Sequence, residues 1–171
     1  MTGDEPCEFS LPDETGAMIR LADPEYLDRP NIIQILGTWC PNCLDETEFL
    51  VDWLKQHPEA DIAIIGLAFE RYDDPQKARS VISRYREKLG INYPILHAGK
   101  SNKSEASKKL PMLNEVISYP TLIFLDRNNQ VQRIHTGFNG PATPDYPHFV
   151  EEFEETVLAL LDESSLWVFW C

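Results

Sequence analysis

No stretch of the 171-residue sequence approaches the roughly 18 consecutive apolar residues of a membrane-spanning helix, so we expect no span. Basic residues are also few: 15 Lys and Arg stand against 28 Asp and Glu, giving a net charge of −13. This charge repels a phosphate backbone, so nucleic acid is not an expected partner. Residues 1–6 contain neither the basic nor the apolar segment of an export signal, and a cytoplasmic location stays open on that basis.

Cysteine is sparse as well. The chain has four cysteines, too few for a small domain held together by disulfides, and 43% hydrophobic with 25% charged residues is typical of an ordinary globular domain. Cys40 and Cys43 form a close pair. Cys7 is predicted to be an incidental surface thiol, and Cys171 ends the sequence.

Alternating strand and helix patterns predict one α/β domain over residues 8–162, followed by an apolar tail over 163–171. The pattern of apolar residues, caps and turns gives the element order. The predicted elements are an entry hairpin (8–11 and 18–21), a buried strand (32–37), a helix from 41 to about 57, a strand (61–69), a helix between Asp74 and Gly90, a strand (93–97), a weaker helix (101–110), a hairpin (121–125 and 131–135) and an amphipathic helix from 146.

The cysteine pair stands at the start of the first predicted helix, directly after a buried strand. Pro41 suits the first helical turn, and the spacing of Cys40 and Cys43 brings their sulfurs to one side, within reach of a disulfide. The free N–H groups and dipole of the helix N-terminus stabilise a thiolate on Cys40. Cys40 is therefore the predicted nucleophile, and Cys43, one turn inside, the predicted resolving thiol.

A structural zinc site is the alternative for a Cys-x-x-Cys motif. It needs two further Cys or His ligands at suitable spacing, and the four histidines are scattered singly along the chain. We therefore predict no metal and no cofactor at this pair.

The run from Gly37 to Cys43, the later Ser118-Tyr119-Pro120-Thr121 and Gly137 resemble the thioredoxin-like proteins of the TlpA/ResA type. The resemblance covers residues 8–162. It implies a thioredoxin fold, three-layer α/β/α, with an N-terminal β-hairpin and an inserted helical segment before a hairpin that starts at a cis-proline.

The resemblance implies that Pro120 is the cis-proline and that it faces the redox cysteines; a trans proline that merely begins an edge strand is the alternative. A substrate segment is then expected to bind between Tyr119, Pro120 and Thr121 on one wall, and Trp39 with Phe138 on the other. Ordinary packing of a loop is the alternative for Phe138.

The family also carries a glutamate three residues after the second cysteine, matched here by Glu46. Helical geometry places Glu46 on the same inward stripe as Cys43 and Leu50, whereas Asp45 points toward water. Burial is expected to raise the pKa of the Glu46 carboxyl and to let it exchange a proton with Cys43. A solvated residue of the first helical turn is the alternative.

Taken with the resemblance, the sequence predicts a thiol-disulfide oxidoreductase that reduces disulfides in exported proteins such as apocytochromes c, recharged by an upstream electron donor. The implied location is periplasmic, with a leader absent from this sequence. Two rivals remain: a thiol peroxidase, although Thr38 stands one residue too close to Cys40, and a Cu(I)-binding module of the Sco type, although its cysteines are separated by three residues rather than two. In the second rival, His135 is the candidate third ligand.

Overall fold

The computed structural model describes residues 6–102, 104, 108, 110 and 118–163. Two short strands, β1 (Ser10–Pro12) and β2 (Met18–Arg20), pair antiparallel, and a single 3₁₀ turn (Pro24–Tyr26) follows them. The remaining strands and helices are β3 (Asn31–Leu36), α1 (Pro41–Gln56), β4 (Ala63–Glu70), α2 (Pro75–Leu89), β5 (Ile95–Lys100), β6 (Thr121–Leu125), β7 (Val131–Thr136) and α3 (Tyr146–Glu163).

Five strands form one sheet in the order β5-β4-β3-β6-β7. The strand β3 is central: it pairs parallel with β4 and antiparallel with β6, while β5 extends the sheet in parallel and β7 in antiparallel fashion. All six β3 side chains are buried, which agrees with its nearly unbroken apolar sequence. The α/β thioredoxin fold predicted from the sequence is confirmed.

The two faces of the sheet carry separate cores, because alternate strand residues point to opposite sides. On one face, Ile32, Leu36 and Phe124 pack against side chains of α1, α2 and α3. On the other, Ile33 and Ile35 pack against the entry hairpin and the segment before it. The C-terminal helix thus lies across one face, as its apolar periodicity indicates.

Local signals placed the helix ends well. Asp74 caps α2 by accepting the Gln76 N–H at 3.0 Å, Pro75 is its first residue, and Gly90 takes the left-handed conformation that ends it. The strand predicted at 93–97 is observed at Ile95–Lys100 instead, since Pro94 stands before it. The predicted helix over 101–110 and the predicted tail over 163–171 lie largely outside the described residues; Glu163, the first tail residue, is the last residue of α3.

The prediction for Cys7 was wrong. Its thiol is only 3% exposed, packed in the core beneath the entry hairpin, and its backbone N–H donates to the Asn129 carbonyl at 2.7 Å. Burial raises the pKa of the Cys7 thiol to about 12. Cys7 and Phe9, just before β1, are therefore part of the domain core.

Candidate active site

The cysteine pair lies where β3 ends and α1 begins. Cys40 is the N-cap residue of α1, and its Sγ accepts a hydrogen bond from the Cys43 N–H at 3.3 Å. On its other side, the Cys40 thiol donates to the Tyr119 carbonyl oxygen at 3.8 Å. Both cysteines are free thiols in this structure. The sulfur of Cys40 is thus held by the helix terminus and by the segment that precedes β6.

The two thiols differ in their surroundings. Cys40 is 7% exposed and Cys43 is fully buried. Burial raises the pKa of the Cys43 thiol well above its ordinary value, and the hydrogen bond with Cys40 and the charges of Cys40 and Glu46 act in the same direction. Cys43 therefore needs a group that takes its proton before its sulfur can attack anything.

Glu46 is buried on the core side of α1, as helical geometry predicts, whereas Asp45 is exposed. The Glu46 Oε1 accepts from the Gln34 Nε2 at 3.2 Å, and the Glu46 Oε2 has no hydrogen-bond partner among the described residues. Burial raises the pKa of the Glu46 carboxyl well above its ordinary value, and the bond from Gln34 acts in the opposite direction. Such a carboxyl keeps its proton to higher pH than an exposed glutamate does.

A buried polar network surrounds Glu46. The Gln34 amide also donates to Thr47 Oγ1 at 3.0 Å, while its oxygen accepts from the Tyr93 hydroxyl at 3.0 Å. Thr47 in turn accepts from the Tyr85 hydroxyl at 3.0 Å and donates to the Cys43 carbonyl at 2.8 Å. The network therefore joins β3, α1, α2 and the segment before β5 beneath the cysteines.

Sequence reasoning missed Gln34, Thr47 and Tyr93. A signal was present for Gln34, since a lone amide inside a strand of Ile and Leu must find partners when it is buried. Nothing in the sequence indicates which partners they are.

The Tyr119–Pro120 peptide bond is cis, as predicted, and it stands beside the cysteines. Trp39 meets Tyr119 edge to face, with ring centroids 5.4 Å apart, and both side chains are partly exposed. Pro120 and Thr121 are buried. These four residues stand together next to Cys40.

Phe138 occupies a different position. Its ring is buried in an aromatic cluster, 4.9 Å from Phe149 and 6.3 Å from Phe49 between centroids. Ordinary loop packing describes these contacts, and a role for Phe138 in the groove stays a prediction. His135 likewise packs on Phe149, at 5.1 Å, on β7. In the described part of the chain, no three His, Cys, Asp or Glu side chains are grouped as metal ligands.

A family model, described as the AhpC/TSA family, matches residues 2–134 of this sequence. The chain belongs to the AhpC/TSA family. Among relatives, it is 23% identical over 135 residues to the thioredoxin-like protein YneN of Bacillus subtilis, covering 79% of this chain and 71% of the relative. It is 23% identical over 130 residues to the thiol-disulfide oxidoreductase ResA of Geobacillus kaustophilus, covering 76% of this chain and 66% of the relative.

The fold agrees with this membership. The crystal structure of a thiol:disulfide interchange protein of the thioredoxin family from Chlorobium tepidum superposes with a TM-score of 0.64 at 19% identity, covering 92% of this chain and 97% of that one. Family, relatives and fold together identify an oxidoreductase of the thioredoxin-like, TlpA/ResA type. None of the helices in the described ranges combines the length and apolarity needed to cross a membrane.

Proposed function

We propose that this protein exchanges thiols and disulfides with other proteins through Cys40 and Cys43, with Cys40 as the attacking sulfur. The observation that carries the proposal is the asymmetry of the pair: one sulfur sits at a helix N-terminus with a backbone N–H directed at it, and the other is fully buried beside a carboxyl. The first arrangement favours attack on a substrate, and the second favours a thiol that acts only inside the complex.

In the reducing direction, the Cys40 thiolate attacks one sulfur of a substrate disulfide. The substrate S–S bond breaks, a mixed disulfide forms, and the leaving substrate thiolate takes a proton. Cys43 then passes its proton to the Glu46 carboxylate and attacks the Cys40 sulfur, which breaks the mixed disulfide and releases the second substrate thiolate. The substrate gains two electrons, and Cys40 and Cys43 end as a disulfide.

The substrate is proposed to lie against Trp39 and the backbone of residues 119–121. The Tyr119 carbonyl already accepts a hydrogen bond from the Cys40 thiol. A substrate strand that pairs with residues 119–121 therefore brings the substrate sulfur close to Cys40. Cys40 is only 7% exposed, which favours a substrate cysteine in an extended, exposed segment over one inside a folded core.

Exchange at this pair is tested by trapping. We expect Cys43→Ser to accumulate mixed disulfides with a peptide disulfide or with cell proteins, because attack survives and resolution does not. Cys40→Ser is the matched control and should trap nothing. Trapping by Cys40→Ser and not by Cys43→Ser would reverse the assignment. Loss of peroxide or retention of stoichiometric Cu(I) by the reduced protein, without exchange, would favour one of the two rival functions instead.

We further propose that the protein acts as a reductant on exported proteins, outside the cytoplasm. The support is its family type and a site suited to protein disulfides. The test is the redox state of Cys40 and Cys43 in cells that express the gene with its native upstream sequence, measured after acid quenching by maleimide labelling of each cell fraction. If the protein is a reductant, Cys40 and Cys43 should be found as the dithiol in an exported fraction. A Cys40–Cys43 disulfide in that fraction would mean that the protein oxidises its substrates.

A further inference from the structure

Glu70 is a buried carboxylate at the end of β4 that the exchange steps above leave without a role. The parallel pairing of β3 with β4 ends at Leu36 and Ala68, while β4 continues to Glu70, where it pairs with β5. Beyond Leu36 the chain turns through Gly37 toward the cysteines. The segment between the last paired residue and α1 therefore depends on side chains to fix it.

Glu70 supplies two such contacts. Its Oε1 accepts the Thr38 backbone N–H at 2.9 Å, and its Oε2 accepts the Thr38 hydroxyl at 2.8 Å. The Glu70 carboxylate thus accepts the Thr38 N–H as a carbonyl of a paired strand does elsewhere in the sheet. Its second hydrogen bond, from the Thr38 hydroxyl, fixes the Thr38 side chain. A carboxylate that accepts two hydrogen bonds in a buried place forms a strong contact.

The residues on either side of Glu70 hold Trp39. The Trp39 indole N–H donates to the Phe69 carbonyl at 2.9 Å, and the Arg71 guanidinium lies 4.1 Å from the centre of the Trp39 ring. The indole covers Gly37 so closely that a Cβ at that position would overlap it. The consecutive residues 69–71, at the end of β4, therefore contact both residues that precede Cys40, which are Thr38 and Trp39.

We propose that Glu70 is a positioning residue for Cys40: by holding Thr38, it sets where the Cys40 sulfur lies relative to the Cys43 N–H and the Tyr119 carbonyl. This inference rests on the proposed function, in which Cys40 makes the first attack. It assigns Glu70 to that first step and leaves resolution to Cys43 and Glu46. Misplacement of a reacting group by about 1 Å can cost on the order of 10²-fold in rate.

The test measures the first step alone, by the rate at which iodoacetamide alkylates Cys40 in the reduced protein at pH 7, with fragment mass spectrometry to separate Cys40 from the other cysteines. We expect Glu70→Ala to slow this reaction by about tenfold or more. Glu70→Gln should stay within about twofold of wild type, because its amide oxygen accepts the Thr38 N–H and its NH₂ donates to the Thr38 hydroxyl. Alkylation needs no disulfide partner, so it gives an answer even if exchange activity fails.

Two further variants complete the design. Thr38→Val removes one of the two bonds and should slow alkylation by less than Glu70→Ala, and it decides the matter if Glu70→Ala does not fold. Asn31→Ala is the matched control: it deletes buried hydrogen bonds at the opposite end of β3, to the Tyr26 and Arg29 carbonyls, and should lower stability without slowing Cys40. The proposal is overturned if folded Glu70→Ala reacts at the wild-type rate, if Glu70→Gln is as slow as Glu70→Ala, or if Asn31→Ala is equally slow.

Discussion

At the scale of single residues, Glu46 and Asp45 stand next to each other in α1 and have opposite environments. Glu46 is buried and accepts a hydrogen bond from Gln34, and Asp45 is exposed. Helical periodicity produces this division, since residues one apart point about 100° from each other. Neighbouring carboxylates on one helix thereby offer a test of proton transfer with an internal control.

We expect Glu46→Gln to leave the first attack by Cys40 unchanged and to slow resolution by Cys43, because the amide keeps the shape and cannot take a proton. General acid–base assistance is typically worth about 10² to 10⁴ in rate. Single-turnover measurements that follow formation and decay of the mixed disulfide separate the two steps. Asp45→Asn should alter neither; equal slowing in both variants would point to general charge and remove the role from Glu46.

The same carboxyl should make stability depend on pH. A carboxyl whose pKa is higher in the folded protein binds its proton more tightly there, so its stabilising contribution is fully present below its ordinary value of 4.5 and is lost as pH rises toward the raised value. Glu46→Gln has no such loss. The unfolding free energy of Glu46→Gln minus that of the wild type should therefore grow with pH above 4.5. Denaturant titrations of the reduced proteins across this range measure it, and parallel curves would contradict the buried, high-pKa carboxyl.

At the scale of elements, Gln34 connects β3 to the helix that carries the cysteines. Its side chain bonds Glu46 and Thr47 of α1 and the hydroxyl of Tyr93. Three bonds from one amide, all buried, fix how α1 lies on the central strand. Hydrogen bonds are electrostatically stronger in the interior than in water, so these bonds favour one placement of α1 on β3.

Gln34→Leu should lower the free energy of unfolding by more than Tyr93→Phe does. The leucine cannot accept the hydrogen bond from the Tyr93 hydroxyl and cannot donate to the Glu46 carboxyl. Each buried polar group left unpaired costs about 1–3 kcal/mol. Tyr93→Phe removes one hydroxyl and leaves the Gln34 bonds to α1 in place. Chemical denaturation at constant pH provides both values; equal losses would show that the bonds from Gln34 to α1 contribute nothing measurable.

At the scale of the whole molecule, α3 packs on the core face that includes Cys40 and Cys43. Phe153 of this helix is buried against Phe49, Trp53 and Phe124, at centroid distances of 5.0, 5.5 and 5.8 Å. Phe153 of α3 thus packs against both α1, which carries Cys43, and the strand β6 of the sheet. Long-range packing of this kind holds the domain together as one unit.

Phe153→Ala should lower the free energy of unfolding by about 3–5 kcal/mol, because it leaves a cavity among rings that cannot collapse fully. Leu158→Ala, on the same helix at 59% exposure, is the control and should change stability by no more than about 0.5 kcal/mol. Thermal or denaturant unfolding checks both. Similar losses in the two variants would mean that α3 stabilises the domain through its own helicity rather than through this cluster.

Much of the fold follows from local signals. Apolar runs indicate the strands. The ends of α2 are marked by Asp74, Pro75 and Gly90, and the start of α1 is marked by Pro41, because caps and turns act over a few residues. The spacing of Cys40, Cys43 and Glu46 on α1 also follows from the sequence, since it depends only on the helical repeat. These features could be predicted without knowing what packs against what.

Contacts between distant segments could not be predicted. These contacts depend on which strands are neighbours and on how closely the layers pack. Examples are the hydrogen bond from Thr38 to Glu70, the hydrogen bond from Tyr93 to Gln34 and the burial of Cys7 in the core. The sequence pattern places Gln34 inside a predicted strand and Glu70 directly after the predicted strand over 61–69. Only packing removes the two side chains from water and selects their partners. The sequence by itself determined the proposed reactive pair and the helix that presents it. The tertiary structure decided which buried groups hold that pair, because burial and long-range hydrogen bonding exist only in the assembled fold.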